Sequence, residues 1–169
     1  DHPVIYAGQG IHYAKAWKEL KELAEQWNIP VTTSIEGKSA FPEDHPLSLG
    51  SGGRANSRPV KRYLEESDLI LGLGVSFALT AFGVPMPPGK KIIHATLDPM
   101  DLNKDVPADI GLIGDAKLTL AALNSELSNA DNSKAAARAN EPEKINELKE
   151  EWMQELSLIH ISEPTRRNS

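Results

Sequence analysis

The sequence predicts an α/β domain built on a doubly wound parallel sheet with helices on both faces. Strand-like and helix-like segments alternate along the chain, which is typical of such sheets. The segment Asp68–Phe77 begins with an apolar run that lacks polar alternation, as in a strand buried on both faces. A second apolar segment, Pro3–Ala7, also ends in a glycine turn. We therefore predict that these two strands are neighbours at the middle of the sheet, where ligands bind in open α/β sheets.

The first half of the chain contains three predicted strands, at Pro3–Ala7, Ile29–Thr33 and, as a short edge strand, Leu47–Leu49. A helix is predicted over Tyr13–Trp27, because its apolar residues recur three or four positions apart, and Asn28 ends it. Ser34–Gly53 is rich in proline and glycine, which excludes a long helix. The next helix starts at Ser57, with Pro59 in its first turn.

The second half contains three further predicted strands, at Leu69–Leu71 before the second glycine turn, at Lys90–Leu97 and at Asp109–Ile113. Met100–Asn103 is predicted to form one helical turn, and Asp115 to cap a helix. Asn129–Asn140 is rich in alanine, asparagine and serine, which indicates a linker. Asn140 and Glu143 resemble a capping box at the start of a final helix.

Composition excludes several classes of protein. The chain has 169 residues, enough for one domain with a core, and contains 40% apolar and 25% charged residues. With a net charge of −6 and no long basic run, neither nucleic acid nor an anionic membrane is an expected partner. The absence of cysteine excludes disulfides and thiolate metal sites, and we expect a cytoplasmic protein. No apolar stretch is long enough to span a bilayer.

The two glycine turns are the candidate binding elements. Gly8-Gln9-Gly10 lies between a strand and a helix, where backbone N–H groups can hold a phosphate. The third glycine of a dinucleotide fingerprint is absent, because Tyr13 occupies its position. Each turn therefore has two open interpretations, a ligand cradle or close packing. Together with Asp98, a possible ribose or adenine contact or else a helix cap, the candidate cofactor-binding residues are Gly8, Gln9, Gly10, Gly72, Gly74, Val75, Ser76 and Asp98.

Other motifs give weaker evidence for a binding or catalytic site. Glu36–Ser39 resembles the end of a phosphate-binding P-loop, but Thr32 stands where the earlier glycine would be. The histidines show no metal-ligand spacing, and His94, inside a strand, is predicted to be a hydrogen-bonded core residue. No catalytic constellation and no metal site is predicted in this chain.

The segment Ile29–Gly50, IPVTTSIEGKSAFPEDHPLSLG, resembles the central domain of thiamine-diphosphate-dependent enzymes, most closely the acetolactate-synthase-like group. Val4–Gly10, Asp68–Gly74 and His94–Lys104 resemble the same family, and the likeness covers Asp1 to Leu127. It implies a Rossmann-like, FAD/NAD-binding-type domain with a six-stranded parallel sheet.

The resemblance also implies a larger enzyme, a carboligase or decarboxylase of 2-keto acids, and this domain alone would be inactive. Thiamine diphosphate and Mg²⁺ would be bound by missing N- and C-terminal domains, and the full protein would be a homodimer or homotetramer. When bound, that cofactor supplies an ylid that attacks the keto carbon, and then an electron sink.

The sequence differs from the FAD-binding members of the family at one place. Some relatives hold FAD or ADP in this domain. FAD-binding relatives follow the central strand with a run rich in arginine and aspartate, whereas Gly74–Thr80 contains neither residue. Each lost charge-assisted hydrogen bond removes roughly 1.5–3 kcal/mol. The sequence therefore favours a non-flavin crevice at least as much as a flavin site.

The predicted organisation is a central domain at residues 1–128, a linker and helix leading to a missing third domain at 129–155, and a tail at 156–169. The tail from Leu156 to Arg166 resembles the in-frame translation of a transposase-type sequencing adapter, so we expect it to be non-native. Because the first strand begins at the third residue, we expect a piece of a longer chain. The alternatives are a stand-alone FAD-, ADP- or NAD-binding module and a purely structural spacer.

Overall fold

A computed structural model describes residues 1–53 and 57–161. Its centre is one six-stranded sheet in the order β3-β2-β1-β4-β5-β6, and every neighbouring pair is parallel. The strands are β1 Pro3–Ala7, β2 Val31–Thr33, β3 Ser48–Ser51, β4 Leu69–Leu73, β5 Lys91–Thr96 and β6 Ile110–Ile113. Pro3 pairs with Leu69, and the register continues to Ala7 opposite Leu73. The predicted pair of central parallel strands is confirmed.

Six α-helices surround the sheet, together with a 3-10 turn at Pro99–Asp101. They are α1 Gly10–Tyr13, α2 Trp17–Trp27, α3 Arg58–Glu66, α4 Ala116–Leu127, α5 Ser133–Ala137 and α6 Glu141–Ile161. Helix α2 packs against α4, and α3 packs against α6. The connection from β1 to β2 and the one from β3 to β4 run in opposite directions across the sheet. Right-handed crossovers therefore place α2 and α3 on opposite faces, as predicted.

The core lies on both faces of the two central strands. Ile5 and Ile70 are fully buried, and so is Leu20 on the inner face of α2. Each such side chain contributes roughly 1.5–3 kcal/mol to folding through the apolar surface it removes from water. Burial decreases toward β6, an edge strand on which Ile110 and Ile113 are about half exposed.

The predicted helix Tyr13–Trp27 is two helices in the structure. Helix α1 begins earlier, at Gly10, and the chain turns at Lys15, whose φ of 52° lies in the left-handed region, before α2 begins at Trp17. Asn28 adopts φ 47° and ends α2, as predicted. Asparagine is a favoured residue for this conformation, whereas lysine gives no such signal, so only the second break is visible in the sequence.

The other elements agree with the predicted segments to within a few residues, and β3 confirms the edge strand. Strand β4 ends at Leu73, so it includes Gly72 and Leu73, which the sequence placed in the turn after Leu71. Gly74, with φ 59°, turns the chain out of the sheet, and Phe77 then folds back onto it.

Part of the predicted linker is docked on the domain. Helix α5 buries Ala135, whose carbonyl accepts a hydrogen bond from Asn28 Nδ2 at 3.0 Å. Arg138 is also buried, and its Nε and Nη2 donate to the carbonyl of Trp27 at 3.2 and 2.9 Å. A cation is stabilised at the C-terminus of a helix, here that of α2.

Helix α6 begins directly after Asn140, where the capping pattern predicted it. It continues to Ile161 and so includes the start of the predicted tail, whereas residues 162–169 lie outside the described residues. The assignment of residues 129–155 as a connection to a third domain, and of 156–169 as a non-native tail, stays a prediction. Within residues 1–53 and 57–161, no helix combines the length and the apolar character needed to cross a bilayer.

Candidate functional site

A cleft of about 570 Å³ opens at the carboxyl ends of β1 and β4. The strand order reverses between these two strands, which is where open α/β sheets bind ligands. The loops after β1, β2, β4 and β5 form its walls. Apolar side chains contribute much of the surface, notably Val75, Phe77, Val84 and Met86.

The structure places the eight predicted binding residues in two groups. Six border the cleft, namely Gln9, Gly10, Gly74, Val75, Ser76 and Asp98. Gly8 and Gly72 are not among the residues that line it. Gly72 lies within β4 and Gly8 directly follows β1, and the close neighbours of both indicate a packing role.

The two glycine turns are bonded to each other. The Gly8 N–H donates to the Leu73 carbonyl at 2.9 Å, and the Gly10 N–H donates to the Gly74 carbonyl at 2.8 Å. A Cβ atom added to Gly10 would lie 2.7 Å from Gly74 Cα, closer than real Cβ contacts. The glycines therefore permit the close approach of two backbone segments, which supports the packing interpretation of both turns.

The N–H groups at the start of α1 are also engaged within the turn. Ile11 N–H donates to the Gly8 carbonyl at 3.2 Å, and His12 N–H donates to the Gln9 carbonyl at 3.0 Å. A phosphate cradle needs several such donors pointing at the ligand. At Gly10, Ile11 and His12 these donors already have protein acceptors.

Gly72 makes room for an aromatic side chain. In the sheet it lies between Tyr6 on β1 and His94 on β5, and a Cβ atom added here would overlap the ring of Phe77. That ring is stacked on Tyr6, with centroids 5.7 Å apart, and meets His94 edge-on at 4.8 Å. Phe77 thus fills the space above Gly72 and forms the floor of the cleft.

His94 is fully buried, and its Nε2 donates to the Val75 carbonyl at 2.6 Å. The prediction of a hydrogen-bonded core histidine is confirmed. This bond connects β5 to the turn that follows β4, so the histidine holds in place the loop that borders the cleft.

The cleft carries negative charge. Four carboxylates line it, those of Glu36, Asp98, Asp101 and Asp115, and none of its described lining residues is lysine, arginine or histidine. Asp98 accepts from the Met100 N–H at 2.9 Å and so caps the 3-10 turn, while Asp115 caps α4 through the N–H groups of Lys117 and Leu118. Burial, and then the charge of Glu36, raise the pKa of Tyr6 to about 12.

These residues do not fit the FAD or ADP that the resemblance implies for some relatives. A diphosphate is held in proteins by cations and by free N–H donors. The described cleft offers carboxylates instead, and the N–H groups of Gly10, Ile11 and His12 already donate to protein carbonyls. The described residues also contain no cluster of histidine and carboxylate side chains that could hold a metal ion.

Several residues of the cleft were not among the predicted binding residues, namely Tyr6, Glu36, Thr96, Asp101 and Asp115. A usable signal was present, because each lies at or just after the carboxyl end of a predicted strand. In a parallel sheet all of these ends meet at one edge. The strand assignment alone would therefore have placed them together.

The chain is similar in sequence to a known protein family and to several of its members. The family described as "Thiamine pyrophosphate enzyme, central domain" matches residues 1–123. The chain is 34% identical over 162 residues to a probable acetolactate synthase large subunit of Methanococcus aeolicus, covering 95% of this chain and 26% of the relative. It is 41% identical over 122 residues to that of Methanocaldococcus jannaschii, covering 71% of this chain and 21% of the relative.

A solved structure from Mycobacterium smegmatis, described as that of a thiamin diphosphate-dependent enzyme, superposes with a TM-score of 0.61. The sequence identity is 29%, over 74% of this chain and 25% of that chain. The chain thus spans about a quarter or less of the length of these relatives. Since the family match covers all six strands and all the described residues that line the cleft, the chain belongs to the thiamine pyrophosphate enzyme family, of which residues 1–123 are the central domain.

Proposed function

We propose that this chain is part of a larger thiamine-diphosphate-dependent enzyme, an acetolactate-synthase-like carboligase or decarboxylase of 2-keto acids. The observation that carries the proposal is the match of residues 1–123 to the family's central domain, together with relatives called acetolactate synthase large subunits.

In this proposal the domain acts as a scaffold. Missing N- and C-terminal domains of the same chain bind thiamine diphosphate and Mg²⁺, and the whole protein is a cytoplasmic homodimer or homotetramer. Residues 129–155 lead toward the third domain, and residues 156–169 are not native. Gln9, Gly10, Gly74, Val75, Ser76 and Asp98 border a ligand crevice, whereas Gly8 and Gly72 support its floor.

The test begins with the coding sequence on both sides of this one. We expect a continuous frame that encodes cofactor-binding domains upstream and downstream. The full protein, assayed for pyruvate consumption, should be active only when both thiamine diphosphate and Mg²⁺ are supplied, and a chelator provides the matched control. A complete reading frame without those domains, or turnover that is indifferent to the cofactor, would contradict the proposal.

A stand-alone binding module remains the second candidate, because the cleft has a volume typical of small-molecule sites. Titration of the purified chain with FAD, ADP and NAD separates the two candidates. Micromolar binding of one of them would support the module. If none of them binds, the scaffold is favoured, and the mutual packing of the glycine turns is then their whole role.

A further inference from the structure

A second cavity, of about 220 Å³, lies at the amino ends of β1 and β2, on the opposite edge of the sheet from the cleft. Residues of α3 and α6 line it, and its apolar surface comes from buried side chains that include Val4, Pro30 and Leu148. Sites for drug-sized molecules measure roughly 300–1,000 Å³, so this cavity suits a smaller molecule.

The cavity is lined by side chains of both charges. Some of them neutralise each other, because Arg62 Nε donates to Glu66 Oε1 at 2.9 Å and Lys144 Nζ donates to Glu141 Oε1 at 2.7 Å. Glu141 also accepts from the Tyr63 hydroxyl at 2.9 Å. The charged groups that remain without such partners therefore decide which ligand the cavity selects.

The first of these groups is the guanidinium of Arg138. This residue is only 8% exposed, yet it lines the cavity. Its Nε and Nη2 are held by the Trp27 carbonyl, whereas its Nη1 makes no hydrogen bond within the described parts of the chain. A buried donor without a protein partner is satisfied by water or by a ligand, and a guanidinium pairs best with a carboxylate. Arg138 therefore offers a fixed position for an anionic group.

The other two groups are the carboxylates of Glu147 and Glu151. They lie one turn apart on α6, both line the cavity, and neither forms an ion pair or a hydrogen bond within the described parts of the chain. Like charges at this spacing repel each other on a helix. An ammonium group bound beside them would remove that repulsion, so this side of the cavity offers a position for a cationic group.

We propose that this cavity binds a small aliphatic amino acid, a molecule that carries a carboxylate and an ammonium group together. Its carboxylate accepts from Arg138 Nη1, and its ammonium group donates to Glu147 and Glu151. Its carbon chain lies against Val4 and Leu148. A ligand with only one of the two charges leaves the opposite group of the cavity unpaired and binds more weakly. The inference does not depend on the activity of the full protein.

The experiment is calorimetric titration of the 169-residue chain at neutral pH and low ionic strength. The probes are two isomeric amino acids, norvaline and 5-aminopentanoate, with pentanoate, which lacks the amine, and pentylamine, which lacks the carboxylate. We expect at least one isomer to bind about tenfold or more tightly than either singly charged probe. Added sodium chloride should weaken that binding, because salt screens charged contacts. Equal affinity for pentanoate or for pentylamine, or binding of neither isomer at millimolar concentration, would overturn the proposal.

Variants test the assigned residues. The double substitution Glu147→Gln and Glu151→Gln should reduce the preference for the amino acid over pentanoate several-fold without lowering the melting temperature, since both side chains are exposed. Glu126→Gln, the same change on an exposed turn of α4, should leave the preference unchanged. If the double variant keeps the full preference, or if the control reduces it equally, the assigned ammonium position is wrong.

Arg138→Met tests the carboxylate position. At a low temperature, where circular dichroism shows the variant to be folded, it should bind the amino acid and pentanoate at least several-fold more weakly than the parent chain does. Undiminished binding of the amino acid would contradict the role of Arg138. If this variant does not fold, the comparison of probes and the glutamate variants still decide the proposal.

Discussion

At the scale of single residues, Gly72 controls the packing at the centre of the sheet. A methyl group at this position would occupy the space of the Phe77 ring, which is itself confined between Tyr6 and His94. Overpacking of this kind costs roughly 1–3 kcal/mol. We predict that Gly72→Ala lowers the free energy of unfolding by about this amount in a urea titration.

A double-mutant cycle supplies the control. In a Phe77→Leu background the same Gly72→Ala change should cost much less, because the smaller side chain leaves room for the methyl group. Strictly additive effects of the two substitutions would show that the ring does not set the requirement for glycine.

The raised pKa of Tyr6 predicts that the folded protein loses stability at high pH. The folded protein holds its pKa at about 12, above the ordinary value of 10.0, so folding favours the neutral phenol. The stabilisation is complete below pH 10 and is lost as the pH rises from 10 to 12, and it amounts to roughly 2–3 kcal/mol. We predict that unfolding midpoints fall across this range in the parent chain and fall less in Tyr6→Phe. Parallel curves for the two proteins would contradict the assignment to Tyr6.

The residue scale also shows where prediction from the sequence stops. The cleft lies beside the two glycine turns, but the role of these turns depends on the distance between Gly10 and Gly74, which are far apart in the sequence. That distance decides whether the N–H groups of such a turn are free to bind a ligand or are hydrogen-bonded to the neighbouring turn. Composition and spacing do not contain this information.

At the scale of elements, Arg138 attaches the segment after α4 to the end of α2. Its two donors satisfy the Trp27 carbonyl at the end of α2, and the Asn28 side chain adds a second hydrogen bond to the Ala135 carbonyl of α5. Hydrogen bonds to a charged group contribute roughly 1.5–3 kcal/mol. We predict that Arg138→Met lowers the free energy of unfolding by about 2 kcal/mol and accelerates proteolytic cleavage within residues 129–140.

The matched control is Arg62→Met. Arg62 lies on the exposed face of α3 and pairs with Glu66 one turn later, an interaction worth about 0.3–0.5 kcal/mol. If both arginine variants behave alike, or if proteolysis of residues 129–140 is unaffected by Arg138→Met, the segment is not held through this contact.

The elements differ in how far the sequence predicts them. The central strands were recognisable because burial on both faces leaves an uninterrupted apolar run, as at Leu69–Leu71. The docked segment was not recognisable, since its alanine-rich composition is also that of a linker and its anchor joins residues 111 positions apart. The helix break at Lys15 was not predicted, because the apolar stripe continues across it.

At the scale of the whole molecule, the sheet and the segments after it form one folded unit. Helix α6 buries Ile145 and Leu148, which are 1% and 5% exposed, and its first residue, Glu141, accepts a hydrogen bond from Tyr63 of α3 at 2.9 Å. The family match ends at residue 123, so this contact involves residues that lie after the matched segment. We therefore predict that the stable folded unit extends beyond residue 123, the last residue of the family match.

Truncation tests this boundary. A chain of residues 1–128 loses the two buried aliphatic side chains and the Arg138 contacts, together at least about 4 kcal/mol. For a protein of this size we predict a melting temperature about 10 °C below that of the 169-residue chain, measured by circular dichroism. A chain of residues 1–155 retains all of these contacts and should melt within about 2 °C of it, because Leu158 in the removed tail is 65% exposed. If removal of residues 156–169 is as damaging as removal of α5 and α6, the tail belongs to the fold and its assignment as non-native is wrong.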